Sequence, residues 1–137
     1  MKRIITTFLF GVACLIATSN ANAMTTQTAT IPFDFTVGQL SVPAGTYVIN
    51  QVSPQVIELD SSTRFIHLRV GVIPADWVSQ RPDKLVFHKY GDRYFLSELR
   101  GGMGEFVSTL RPSRLEKNLR LEQVAAADQQ VTEIALK

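Results

Sequence analysis

The sequence predicts a mainly β protein: a small antiparallel β-sandwich or barrel of about seven to eight strands, with one C-terminal helix followed by a short closing strand. Three observations predict it. Apolar and polar residues alternate over short runs. Turn residues recur every eight to twelve positions. Sustained helical spacing is confined to the stretch after Ser113.

The first 23 residues are set aside before the fold is considered. Lys2 and Arg3 give a positive start, Ile4 to Ala17 is almost wholly apolar, and Ala21-Asn22-Ala23 is a small-x-small cleavage signal. This is the pattern of a secretory signal peptide, with a mature chain beginning near Met24. The apolar run is shorter than the ~20 residues a membrane-spanning helix needs. Gly11 stands three before Cys14 where a lipoprotein site wants a large aliphatic, so lipidation is not expected.

The composition changes once that segment is removed. The whole chain carries 14 Lys plus Arg against 12 Asp plus Glu. Lys2 and Arg3 account for the entire excess, so residues 24–137 are formally neutral. That excludes the strongly basic footprint of a nucleic-acid-binding domain. The single cysteine leaves with the leader, and no disulfide is expected. One domain, 24–137, must be held by its core, burying roughly two-thirds of the unfolded chain's surface.

Met24 to Thr28 is polar and is expected to fray. Thr30 to Gly38 alternates, with Ile31, Phe33, Phe35 and Val37 against Pro32, Asp34 and Thr36, and is expected as one half-buried strand. Pro32 places that strand at a sheet edge. Val42-Pro43-Ala44-Gly45 is turn chemistry. Thr46 to Val52 is rich in β-branched and aromatic residues, and Val56 to Asp60 is its short partner. After Asp60-Ser61-Ser62-Thr63, a strand from Arg64 to Val70 puts Ile66, Leu68 and Val70 opposite Phe65, His67 and Arg69. Gly71 to Asp83 is the longest irregular connection.

The centre is Lys84 to Arg100, where two aromatic-rich runs flank Gly91-Asp92. A two-residue loop there sets Phe87 against Leu96, His88 against Phe95 and Ser97 against Val86. Both faces carry large apolar groups, so this hairpin is expected mid-sheet and covered on both sides. Ser113-Arg114-Leu115-Glu116 is a capping box, so a helix is expected from about Arg114. Leu115, Leu119, Glu122 and Ala126 fall at helical spacing, and Val131 to Leu136 alternates again as the last strand.

Motifs with chemical potential are few. His67 and His88, aided by Asp60 or Asp92, lack the three or four clustered ligands that zinc requires. No metal and no cofactor are therefore expected. His88, Asp92 and Ser97 share one hairpin, but Ser97 falls opposite Val86 and no nucleophile elbow is present. Arg100-Gly101-Gly102-Met103-Gly104 lacks the Gly-Lys-Ser/Thr ending of a phosphate loop and reads as a connector. Arg111, Arg114, Lys117 and Arg120, interleaved with Glu116 and Glu122, suit a solvated helix face. Trp77, between Pro74 and Pro82 and followed by Arg81, either lines a cleft or plugs one end of the core. The plug is favoured because tryptophan is highly buried on average. Trp77, Arg81, Tyr90 and Tyr94 are the candidate ligand-binding residues, and no residue is assigned a catalytic role.

Three blocks carry a resemblance: Ile31 to Gly38, Val42 to Tyr47, and Leu85 to Ser97. They are similar to the "PFDFxVG", "PAGxY" and "LVFHxYGDxYFL" blocks of an uncharacterised family of small exported bacterial β-proteins, frequent in soil bacteria. Ser113 to Glu116 matches a basic Ser-Arg-x-Glu segment of the same family. The resemblance implies an exported single domain and supplies no activity, cofactor or site. The element order is also similar to that of lipocalin-like barrels, a likeness of fold that carries no function.

The expected function is that of a non-enzymatic domain of the bacterial envelope, periplasmic or secreted, acting by binding or as structure. Its partner is an unknown protein or a small apolar ligand, without nucleic acid and without a membrane span after cleavage. The alternatives are a lipocalin-like carrier of a small apolar ligand and a hydrolase using His88.

Overall fold

The computed structural model describes residues 26–61, 63–75, 82–102, 106–124 and 130–137. The expected leader, Trp77, Arg81 and Ala126 lie outside the described residues. In chain order the strands are β1 (Thr26–Ile31), β2 (Phe35–Val37), β3 (Leu40–Val42), β4 (Gly45–Ser53), β5 (Val56–Ser61) and β6 (Ile66–Gly71). There follow β7 (Ile73–Ala75), β8 (Lys84–Tyr90), β9 (Arg93–Gly101), β10 (Phe106–Thr109), helix α1 (Arg114–Val124) and β11 (Gln130–Ala135).

Two sheets result. One has the order β1-β4-β5-β6, the other β11-β8-β9-β10-β7. β2 joins the second sheet by pairing in parallel with the first residues of β9, and β3 pairs with β2. The architecture is a small β-sandwich with no closed barrel among the described residues. Among the described residues eleven strands exceed the expected seven to eight, because the expected first strand divides into β1 and β2 and because β3 and β7 are only three residues long. Runs that short show no periodicity to read.

The strand expected from Thr30 to Gly38 is two. Pro32 has no N–H to donate, so the ladder with β4 ends at the Ile31↔Gly45 pair. The chain then crosses from the first sheet to the second through Pro32-Phe33-Asp34. β1 is an edge strand, as the proline implied. It begins earlier than expected: polar Thr26 to Thr30 pair with Asn50 to Thr46. A ladder is made of backbone groups and tolerates polar side chains where one face meets solvent.

Side chains from both sheets meet in one core. Ala29, Ile31, Tyr47, Ile49, Ile57, Leu59 and Val70 face Phe35, Leu85, Phe87, Leu96 and Leu99. Phe87 takes ring edges from Phe33 at 5.2 Å and Phe35 at 5.4 Å, and Phe35 meets Tyr47 at 5.7 Å. Each such fully buried side chain contributes roughly 1.5–3 kcal/mol by leaving water. The sheet edges are stitched where Thr28 and Lys137 exchange two backbone hydrogen bonds of 2.9 and 3.0 Å.

The central hairpin holds the expected register from its turn down to Phe87↔Leu96 and His88↔Phe95. Gly91 has a φ of 60°, which a Cβ would disfavour. Beyond that point a bulge shifts the pairing: Val86 opposes Glu98, not Ser97. The extra residue lets Leu96 and Leu99, three apart, both point into the core. The opposite face carries Val86, Tyr90 and Phe95, all buried, and α1 packs on β8. The hairpin is therefore covered on both sides.

Candidate functional site

At the tip of the β8–β9 hairpin lies an open cleft of about 410 Å³. Its lining brings together Asp34, Thr36, Gln39 and Ser41 from around β2 and β3, Asp92, Arg93 and Tyr94 from the hairpin, and Leu115 from α1. The parallel pairing of β2 with β9, Phe35 beside Tyr94, sets one wall against the other. Tyr94 is fixed by stacking on Phe33, with ring centroids 3.9 Å apart and planes 16° from parallel. Lys89 Nζ stands 5.5 Å from the Tyr94 ring centroid, within range of a cation–π attraction. On the other wall, Asp34 Oδ1 accepts a 2.7 Å hydrogen bond from the Ala44 N–H. The Asp of the first sequence block thus ties down the turn of the second.

Of the four expected ligand-binding residues, Tyr94 lines this cleft. Tyr90 does not: it is buried on the opposite face of the sheet, its ring against Phe95 at 5.8 Å and His88 at 6.3 Å. Burial pushes the Tyr90 phenol above its ordinary range, with Glu116 adding to the effect. Trp77 and Arg81 lie outside the described residues. Sequence reasoning missed Asp34, Gln39, Ser41 and Leu115 as neighbours of Tyr94. Only the parallel β2–β9 contact and the docking of the helix bring them there.

The helix begins as its capping box implied. Ser113 Oγ accepts a 3.1 Å hydrogen bond from the Glu116 N–H, satisfying one of the donors left free in the first turn. Its buried face differs from the expected one. Leu115 is exposed enough to line the cleft, whereas Glu116 is buried with its carboxylate 3.3 Å from His88 Nδ1. A buried carboxylate needs a partner, and His88 Nδ1 supplies it. Glu116 is therefore not part of a solvated face. His88 is engaged with the helix, while Asp92 sits exposed in the turn.

The two histidines are not neighbours, because His67 belongs to the first sheet and His88 to the second. On the solvent face of the first sheet, His67 lies across from Asp60, and Glu58 from Arg69. His67 Nδ1 meets Asp60 Oδ1, His67 Nε2 is 3.0 Å from Glu58 Oε1, and Arg69 Nε donates to Glu58 Oε1 at 2.8 Å. The Arg69 hydrogen bond holds the Glu58 carboxyl below its ordinary range.

No helix among the described residues is long and apolar enough to cross a membrane. Comparison with known proteins produced no match, whether to family models, to curated sequences or to solved structures.

Proposed function

We propose that the chain is an exported, non-enzymatic β-domain of the bacterial envelope, periplasmic or secreted, that works by binding. We also propose that it belongs to the family whose sequence blocks it resembles. The observation that carries the reading is the cleft at the hairpin tip. It offers apolar surface on Tyr94 and Leu115 and hydrogen-bonding groups on Thr36, Gln39, Ser41 and Arg93. A small ligand with one apolar part and a few polar groups matches such a lining.

The conspicuous blocks otherwise serve the scaffold: Asp34 and Tyr47 hold one turn together, and Gly91 makes another. His88 is paired with Glu116 under the helix and does not line the cleft, which supports a binding reading of the cleft over a hydrolase that uses His88. The space a lipocalin-like carrier would give its ligand is filled by Phe35, Tyr47, Phe87, Leu59 and Leu99. That filling favours a ligand bound at the outer cleft.

Native mass spectrometry of the protein purified from the cells that export it tests this. A small-molecule adduct that Arg93→Ala and Tyr94→Ala lose supports the cleft. Recovery of the bare chain under conditions that preserve weak complexes sinks the binding reading.

A further inference from the structure

We propose that Glu58, Asp60 and His67 form a second site, on the outer face of the first sheet, for a divalent transition-metal ion of the zinc class. The placement follows from strand alternation. Ile57 and Leu59 on β5 and Val70 on β6 point into the core, so Glu58, Asp60 and His67 point to solvent. Asp60 and His67 are direct cross-strand partners, and Glu58 stands two residues along on the same face. One ligand atom from each of the three lies within 4.8 Å of the other two.

That is the donor set such an ion takes. Zinc binds imidazole nitrogen and carboxylate oxygen at about 2.0–2.2 Å, so ligand atoms sharing one tetrahedral ion stand roughly 3.4 Å apart. His67 Nε2 and Glu58 Oε1, 3.0 Å apart, already approach that spacing. An imidazole gives an ion one nitrogen, and Glu58 faces Nε2 while Asp60 faces Nδ1. An ion at Nε2 takes His67 and Glu58 directly, and Asp60 joins them by turning its carboxylate across the ring edge. A further position is left for water or an incoming donor. A soft-metal site would want thiolates instead, and the chain's one cysteine is Cys14, far away in sequence.

The backbone beneath the cluster is rigid. β5 is bonded on both sides, to β4 and to β6, so the two carboxylates rise from a central strand and the imidazole from its edge neighbour. Arg69 acts in two directions. Its Nε hydrogen bond orients the Glu58 carboxylate from outside, as outer partners of metal ligands do, but its charge opposes a cation. With Arg69 paired and the imidazole neutral, two carboxylates still leave one net negative charge facing the ion.

The test is titration of Zn²⁺ into the purified chain, carrying no polyhistidine tag, in competition with a chromophoric chelator. One equivalent is expected to bind. His67→Ala should abolish binding, and Asp60→Asn, which keeps the side-chain shape but removes a ligating charge, should weaken it strongly. Arg69→Gln should tighten it, and His88→Ala should leave it unchanged. Thermal melts of the metal-free variants establish that each is folded, and with His67 largely exposed no loss of fold is expected. Absence of saturable binding overturns the proposal. So does binding that survives His67→Ala, or that only His88→Ala removes.

Discussion

The Tyr47 hydroxyl donates a 2.6 Å hydrogen bond to the Pro43 carbonyl, four residues upstream. The same ring lies fully inside the core and passes beside Gly45. One side chain thus fills the sandwich and closes the turn that feeds β4. Tyr47→Phe keeps the ring and leaves the carbonyl without its donor. A loss of about 1–2 kcal/mol is expected, read as a lower urea midpoint at unchanged slope. Tyr47→Ala also empties the core and should cost roughly 3–5 kcal/mol.

Phe65 presents the opposite case. It is 95% exposed at the β5–β6 turn, and among the described residues it is the non-glycine residue held at positive φ, 52°. A bulky side chain pays a steric cost there and gains no packing. Phe65→Asn, which tolerates the left-handed region, should stabilise the fold by about 0.5–1 kcal/mol. Equilibrium denaturation checks this, and a destabilised variant would contradict it.

Ser113→Ala removes the acceptor for the Glu116 N–H and should cost about 1 kcal/mol. Because α1 carries Glu116 onto His88, the loss should extend beyond the helix terminus. Hydrogen exchange is expected to quicken at the amides of α1 more than at those of β8. Equal change in both would mean that the helix does not loosen on its own.

Burial raises the phenol of Tyr47, and burial aided by Glu116 raises that of Tyr90, above the ordinary value of 10.0. A folded value above the unfolded one means that the unfolded chain releases its proton first. The associated stability is fully present below pH 10 and is lost as pH rises through the folded values. Melting temperatures should therefore fall above pH 10, and Tyr90→Phe should fall less steeply over the same range. Parallel alkaline slopes for the two proteins would refute the assignment.

Local rules carried the chain a long way. Gly91-Asp92 with alternating flanks determines the hairpin and the pairs Phe87↔Leu96 and His88↔Phe95. Ser113 and Glu116 determine where the helix starts. Alternation from Ile66 to Val70 separates the core face from the face bearing His67 and Arg69, whereas Arg64 and Phe65, expected in the same strand, lie in the turn before it. Each of these signals acts over two to about ten residues, the range of turns, caps and periodicity.

Contacts spanning longer distances in the chain were decided only by packing. The bulge at Ser97-Glu98 exists because Leu96 and Leu99 must both face the other sheet, and the sequence around them does not announce that sheet. Glu116 turns inward because His88, 28 positions away, lies under the helix. The cleft joins residues from Asp34 to Leu115 through one parallel strand contact. Glu58, Asp60 and His67 gather because a particular register sets β6 on β5. Propensity acts along the chain, while a site is made by groups converging across it. Their convergence depends on which strands become neighbours, and only the burial of the whole core selects that.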